Sequence, residues 1–443
     1  MELYRNKLSI PFFILSLALL MIGLTFGFIG SVQYLVPDFL KEWISFDKVR
    51  PLHVSSVVFW ILVTAMGSVI TFLQEHIGGS IKYPPLLKAQ FWVFAITFLL
   101  IIISYFLGIF GGREYWEFHP YFAFPIAFGW LLFIINVFSS IKNFRNQPVY
   151  VWMWLTGLVF FLFTYIESNL WQILWFRKEI IHDMTIQWKS YGSLVGSWNM
   201  LIYGSSIYLM DKISGNQKYS YSSIAFALYF LGLLNGMFNW GHHIYTLPTH
   251  HFVKHIAYII SMTELILIAR IIYLWKDSLT TAKMHKHLRS YQFIIAADVW
   301  VFITLILAIL MSIPALNVYM HGTHVVVAHT MGATIGINTM LLFAYIFDVI
   351  KDSTINEKIF KIGYRIIQIS LPIFFLSLLS AGIYKGFWQM QEQHLIYGSM
   401  LKKLKPAFLL FSSSGFFLVL GFFMIIFIAL KSLLFIYSSK NKI

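Results

Sequence analysis

About twelve stretches of roughly 20 or more mostly apolar residues follow one another along this chain, joined by short loops. They lie approximately over 9–36, 52–74, 89–110, 119–141, 149–175, 186–210, 221–244, 252–275, 291–313, 318–348, 362–386 and 406–437. Each is long enough to cross roughly 30 Å of hydrocarbon as a helix. Inside hydrocarbon every backbone N–H and C=O must find its partner within the segment, which leaves helices packed on helices. We therefore expect an all-α polytopic bundle of about twelve transmembrane helices, forming one membrane-embedded domain over 1–443 with no separate soluble domain. Composition agrees: charged residues make up 11 % of the chain, against about a quarter in soluble domains. The first stretch is too long for a secretory leader and has no small-residue cleavage site, so we read it as a retained helix.

The formal charge of +14 is spread over the short loops, which argues for membrane topology and against a nucleic-acid partner. Arg5 and Lys7, the tail Lys440 and Lys442, and alternate loops with Lys82, Lys142, Arg145, Lys212, Lys286, Arg289 and Lys358 carry most of it. The opposite loops carry fewer, mainly Lys41, Lys48, Arg50, Arg113, Arg177, Lys178 and the Lys402–Lys405 group. The positive-inside rule puts both termini in the cytoplasm. The chain has no cysteine. That excludes disulfides, iron–sulfur clusters, covalent c-type haem and thiolate copper, and leaves His, Met, carboxylate or Tyr to hold a redox metal.

Histidines stand where imidazoles are costly unless paired. His53 opens the second stretch, His242 and His243 end the seventh, and His329 lies in the outer third of the tenth. Scattered core histidines would show no common depth; these share one. Adjacent residues on a regular helix diverge by about 100°, so His242 and His243 reach one metal only where the helix loosens, as Gly241 and Pro248 suggest. The plainer reading is a solvated helix end, which fits the neighbouring His250, His251 and His255. In His329-Thr-Met331 the two side chains face opposite sides, so one helix can serve two different irons; the plainer reading is a hydrogen-bonded His and a packing Met. Glu264 sits within an apolar stretch, where a carboxylate is protonated, hydrogen-bonded or poised to donate a proton. Arg113-Glu114 is either a surface ion pair or a carboxylate clamp beside a hard-cation ligand.

Five motifs occur in order: Arg50-Pro-Leu-His53, Gly112-Arg-Glu-Tyr-Trp-Glu117, Gly241-His-His243, Ser261-Met-Thr-Glu264, and His321-Gly-Thr followed by Ala328-His329. Together they resemble the catalytic subunit of bacterial nitric oxide reductases, in the haem–copper oxidase superfamily, over nearly the whole chain. The resemblance implies a bacterial inner-membrane protein with a low-spin haem b ligated by His53 and a high-spin haem b whose proximal ligand is His329. It implies a non-haem metal, iron or copper, on His242 and His243. It further implies proton delivery by Glu264, haem propionates at Arg113 and a calcium ligand in Glu114.

Two departures qualify it. The family's second histidine on the tenth helix is here Met331, which implies His53/Met331 ligation and a haem of raised potential. The family's third histidine and its glutamate on the sixth helix have no counterpart between Gln187 and Tyr208. Counting loop lengths puts Tyr191 or Gly192 at the histidine position; matching Asn199-Met-Leu-Ile-Tyr-Gly204 puts Asn199 there and Tyr203 at the glutamate. The leading expectation is reduction of nitric oxide to nitrous oxide. The altered sixth helix keeps nitric oxide dismutation as an alternative, and a non-catalytic haem sensor or paralogue is a third. Oxygen reduction is disfavoured because Met237 stands where the oxidases' tyrosine is expected. A transporter would leave the histidine layer unexplained. Quinol or a cytochrome c subunit is the expected electron donor, because the sequence shows neither an N-terminal extension nor a c-type haem segment.

Overall fold

The computed structural model describes residues 8–263, 281–350, 355–391 and 396–439. The regular structure among them is helical, with no strand. In chain order the long helices are α1 (Ile10–Gln33), α2 (Phe46–His76), α3 (Pro84–Phe106), α4 (Ala123–Ser140), α5 (Val149–Glu167) and α6 (Ile180–Ser214). They continue with α7 (Ser223–Phe238), α8 (251–263), α9 (Leu288–Ser312), α10 (His324–Val349), α11 (Glu357–Gln391) and α12 (Tyr397–Ser439).

All but α6 and α8 are long and apolar enough to cross a membrane. The protein is a multi-pass membrane protein. The described part of α8 stops at residue 263. α6 departs from the expectation of an apolar stretch over 186–210: it has the length but not the apolarity. Ser190, Ser193, Ser197 and Ser205 are all buried on it. Its hydroxyls turn back on the protein: Ser190 donates to the Ile186 carbonyl at 2.7 Å and Ser197 to Leu194 at 2.6 Å. A polar helix is tolerated because it is lined by protein and its small residues allow close approach.

α2 is the central helix, with 94 % of its most apolar window buried, against 39 % for α1. α1 packs along α2, α5 along α6 and α11 along α12, and α12 returns against α1. The core is aromatic: Trp60, Trp130, Trp154, Phe59 and Phe72 are fully enclosed.

Several boundaries position the polar residues. α2 begins at Phe46, earlier than hydropathy suggests, so His53 lies two turns inside it. α7 stops at Phe238, and Asn239–Ile244 continues as a 3-10 turn carrying both adjacent histidines. Thr323 caps α10 by accepting from the Val325 N–H at 3.2 Å, so the helix starts at His324 and not near 318. Within α10 the segment Gly332–Thr339 is π-helical. Gly215, at φ +66°, ends α6 in the left-handed conformation that glycine adopts without strain.

Candidate functional site

His53, Arg113, Glu114, His242, His243 and His329 lie toward the end of the bundle where α2 and α10 begin. His53 is held from behind. Its Nδ1 lies 2.7 Å from the Gly23 carbonyl of α1, and its Nε2 has no hydrogen-bond partner among the described residues. An imidazole with one nitrogen on a backbone carbonyl is the usual arrangement of a metal ligand. Glycine is required at position 27: a methyl group there would sit 2.6 Å from His53 Nδ1. A haem ligand fits this site.

One turn before His53, Arg50 reaches the loop between α3 and α4. Its guanidinium donates to Glu114 and to Glu117, both at 2.8 Å. Burial pushes the Glu117 carboxyl up to about 6, against the opposing pull of Arg50. The loop is a tight turn. The Trp116 N–H donates to the Arg113 carbonyl at 2.8 Å, and Tyr115 takes φ +69°. A side chain at Gly112 would strike the Trp116 carbonyl, so the glycine opening this motif is a steric necessity. Arg113 points the other way, donating to Asp183 of α6 at 2.8 Å and lying 4.8 Å from the Trp171 ring. The two residues assigned to propionates and calcium, Arg113 and Glu114, thus both have protein partners of opposite charge.

His242 and His243 come together on the 3-10 turn with ring centroids 4.2 Å apart, and the Trp188 ring of α6 stacks on His243 at 5.0 Å and 8°. The loosened helix end expected from Gly241 is present. A methyl group at Gly241 would meet the Val253 carbonyl at 2.9 Å, so the glycine lets α8 approach the turn. The electrostatic neighbours of His243 are His242, His321 and His329. His329 Nδ1 is buried, with the Thr304 backbone of α9 beside it. Met331, two residues on, packs against the main core.

The structure does not bring Asn199 to the histidine pair. Trp188 and Gly192 are the α6 residues there, Gly192 lying against Trp240. Asn199 lies eleven residues beyond Trp188, about 16 Å along the axis. Its amide oxygen accepts from Asn338 of α10 at 3.2 Å. Tyr191 also faces elsewhere, edge-on to Tyr115 at 5.4 Å. Of the two residues that loop counting indicates, Gly192 lies beside the turn and carries no donor, and Tyr191 faces Tyr115. Among the described residues no three His, Asp or Glu side chains converge as a metal site. Glu264, expected to deliver protons, lies outside the described residues. Sequence reasoning missed Trp188, Asp183 and the grip of Arg50. Only Arg50 carried a signal, standing three residues before His53 and hence on a neighbouring part of the same helix.

Comparison with known proteins agrees with this arrangement. Residues 7–417 match the family described as cytochrome c and quinol oxidase polypeptide I. The chain is 23 % identical over 363 residues to a nitric oxide reductase subunit of Stutzerimonas stutzeri, covering 76 % of this chain and 73 % of that one. It is 26 % identical to a cbb3-type cytochrome c oxidase subunit of the same organism, over 35 % of this chain and 33 % of that one. A solved haem–copper terminal oxidase superposes over 98 % of this chain and 84 % of its own, with TM-score 0.75 and 14 % identity. The chain belongs to the haem–copper oxidase subunit I family, whose members are membrane oxidoreductases that bind haems and a second metal.

Proposed function

We propose that this chain is the catalytic subunit of a membrane oxidoreductase that reduces nitric oxide. The observation that carries the reading is the outer histidine turn: His242 and His243 face each other, with His329 of α10 as an electrostatic neighbour. Two further facts support it. The likeness to the nitric oxide reductase subunit spans three quarters of the chain, whereas the cbb3-type oxidase match spans about a third. Met237 occupies the place where an oxidase tyrosine would be expected.

In this reading two nitric oxide molecules, two electrons and two protons give nitrous oxide and water. Haem held at His329 would supply the redox chemistry of nitrogen coupling, and haem held by His53, with Met331 as its expected second ligand, would pass electrons to it. Trp188 fixes the plane of His243 by stacking, so both imidazoles are held in place before substrate arrives. Confining both substrate molecules removes the entropy cost of their encounter. No step is assigned to a non-haem metal, because α6 brings no third donor to the pair. Glu264 keeps its expected role in proton delivery, and quinol or a cytochrome c subunit that of donor.

One observation favours a second reading. The α6 residues beside the histidine turn are Trp188 and Gly192, neither of them a histidine, which suits dismutation of nitric oxide to nitrogen and oxygen without net electrons. Purified protein supplied with nitric oxide separates the readings. Nitrous oxide formed only with an added donor supports reduction; nitrogen and oxygen formed without one supports dismutation. Haem bands with neither product would identify a haem protein without this catalysis, and fast oxygen consumption would return the chain to the oxidases.

A further inference from the structure

Just beyond the histidine turn stand three further histidines that the reading above does not use. His250 ends the link from the turn, and α8 opens with His251-Phe-Val-Lys-His255. His251 and His255 are four residues apart on one helix, so they share a face, with Cβ atoms about 6 Å apart. Both are exposed. Neither has a hydrogen bond, ion pair or ring contact with another described residue. His250 takes a different course: its ring stacks on Phe252, with centroids 5.8 Å apart.

The other face of α8 is committed to the histidine turn. A methyl group at Gly241 would meet the Val253 carbonyl at 2.9 Å and the Ala257 methyl at 3.0 Å, so helix and turn touch there. Lys254 donates to the carbonyls of Tyr245 at 2.6 Å and Leu247 at 3.1 Å. The Tyr245 hydroxyl in turn donates to the Ser312 carbonyl of α9 at 2.9 Å. The lysine between the two histidines is therefore held by backbone oxygens. His251 and His255 each lie two residues from Val253, about 200° round the axis, and face away from the turn. One turn further along, the same side becomes apolar, with Ile259 60 % exposed. The histidines thus stand where α8 meets the polar surface.

We propose that His251 and His255 form a surface site for a divalent transition metal of the zinc or copper class. Neutral imidazole suits these ions, and each metal–nitrogen bond is about 2.0–2.1 Å long. Two imidazoles on successive turns of one helix face can close on a single ion, the spacing that helical zinc motifs use. The helix already fixes both backbones, so binding costs little beyond side-chain rotation. Two protein ligands leave the remaining positions to water, which makes the ion exchangeable and not a structural core. Solvated histidines at an interface would serve at any spacing; chelation needs this one. A bound ion pins the first turn of α8 and, through Lys254 and Gly241, the histidine turn beside it. The proposal stands apart from the redox reading, and its test does not use nitric oxide.

The full chain, haem-loaded and without an affinity tag, is passed over immobilised nickel and then titrated with zinc by calorimetry. Wild-type protein is retained and is released by free imidazole. The ring of His243 is covered by Trp188 and does not reach the resin. His251→Gln and His255→Gln each abolish retention and weaken zinc binding by at least about tenfold, since the second imidazole no longer acts within one chelate. Zinc raises the melting temperature of the wild type and not of these variants. His250→Gln behaves as wild type. The double substitution His255→Gln and Ile256→His keeps the number of histidines but sets them about 140° apart, and it also loses retention. Melting temperatures equal to wild type in the absence of zinc show that the variants are folded. A wild type that passes straight through overturns the proposal. So does retention that survives both His251→Gln and His255→Gln, or that is kept by the double substitution.

Discussion

The imidazole of His53 is fixed by what lies behind it. Its Nδ1 is tied to the Gly23 carbonyl and its ring rests on Gly27. A methyl group at position 27 must push the ring away, at a cost of about 1–3 kcal/mol for overpacking. Gly27→Ala is expected to reduce low-spin haem occupancy and shift its absorbance, whereas Gly398→Ala, with open space around it, leaves both unchanged. Met331→His would restore the family's paired histidines and lower the potential of that haem, read by a redox titration of its absorbance. Unchanged potential would remove Met331 from the haem. At this scale the sequence was legible where chemistry is local. His242, His243 and His329 declare themselves as imidazoles in apolar segments. Which α6 residue meets the histidine turn was not legible, because two registers fitted and the choice depends on packing between segments far apart in the chain. Trp188 left no mark at all, since a stacked indole is a tertiary contact between segments far apart in the chain.

The loop between α3 and α4 acts as a clasp between α2 and α6, through Arg50 on one side and Asp183 on the other. Its Glu117 has a raised affinity for protons. A carboxyl that binds protons more tightly when folded stabilises the fold at low pH, and that contribution is lost as pH rises through its folded value. Relative to Glu117→Gln, the wild type should therefore lose melting temperature between the ordinary carboxylate range and about pH 6. Parallel melting curves for the two proteins would show that the carboxyl is ordinary. Helices were legible through length and apolarity, which is why ten spans agree with the sequence reading. α6 was placed by the same signal but is polar, because its partners are protein and not lipid. The 3-10 turn at His242 was foreseen from Gly241. The π-helical stretch of α10 was not, since nothing in Gly332–Thr339 distinguishes it from an ordinary helix.

Across the molecule, loop charge predicts that both termini face the cytoplasm. A chain without cysteine makes this simple to check. Single cysteines at Lys82 and Lys286 should resist an impermeant thiol reagent applied outside intact cells, and one at Lys41 should react. The reverse pattern would invert the orientation. Family membership and the bundle rest on the whole chain, whereas the reaction depends on a few side chains, so the first was far easier to read than the second. The placement of the histidine turn toward one end of the bundle has one more consequence. Charge passing from the opposite end to the histidine turn would traverse most of the insulating layer, and each elementary charge would then exchange about 2.3 kcal/mol with every 100 mV of membrane voltage. Turnover in sealed vesicles should accelerate when an ionophore collapses that voltage; a rate indifferent to the ionophore would mean that electrons and protons reach the haems from the same side.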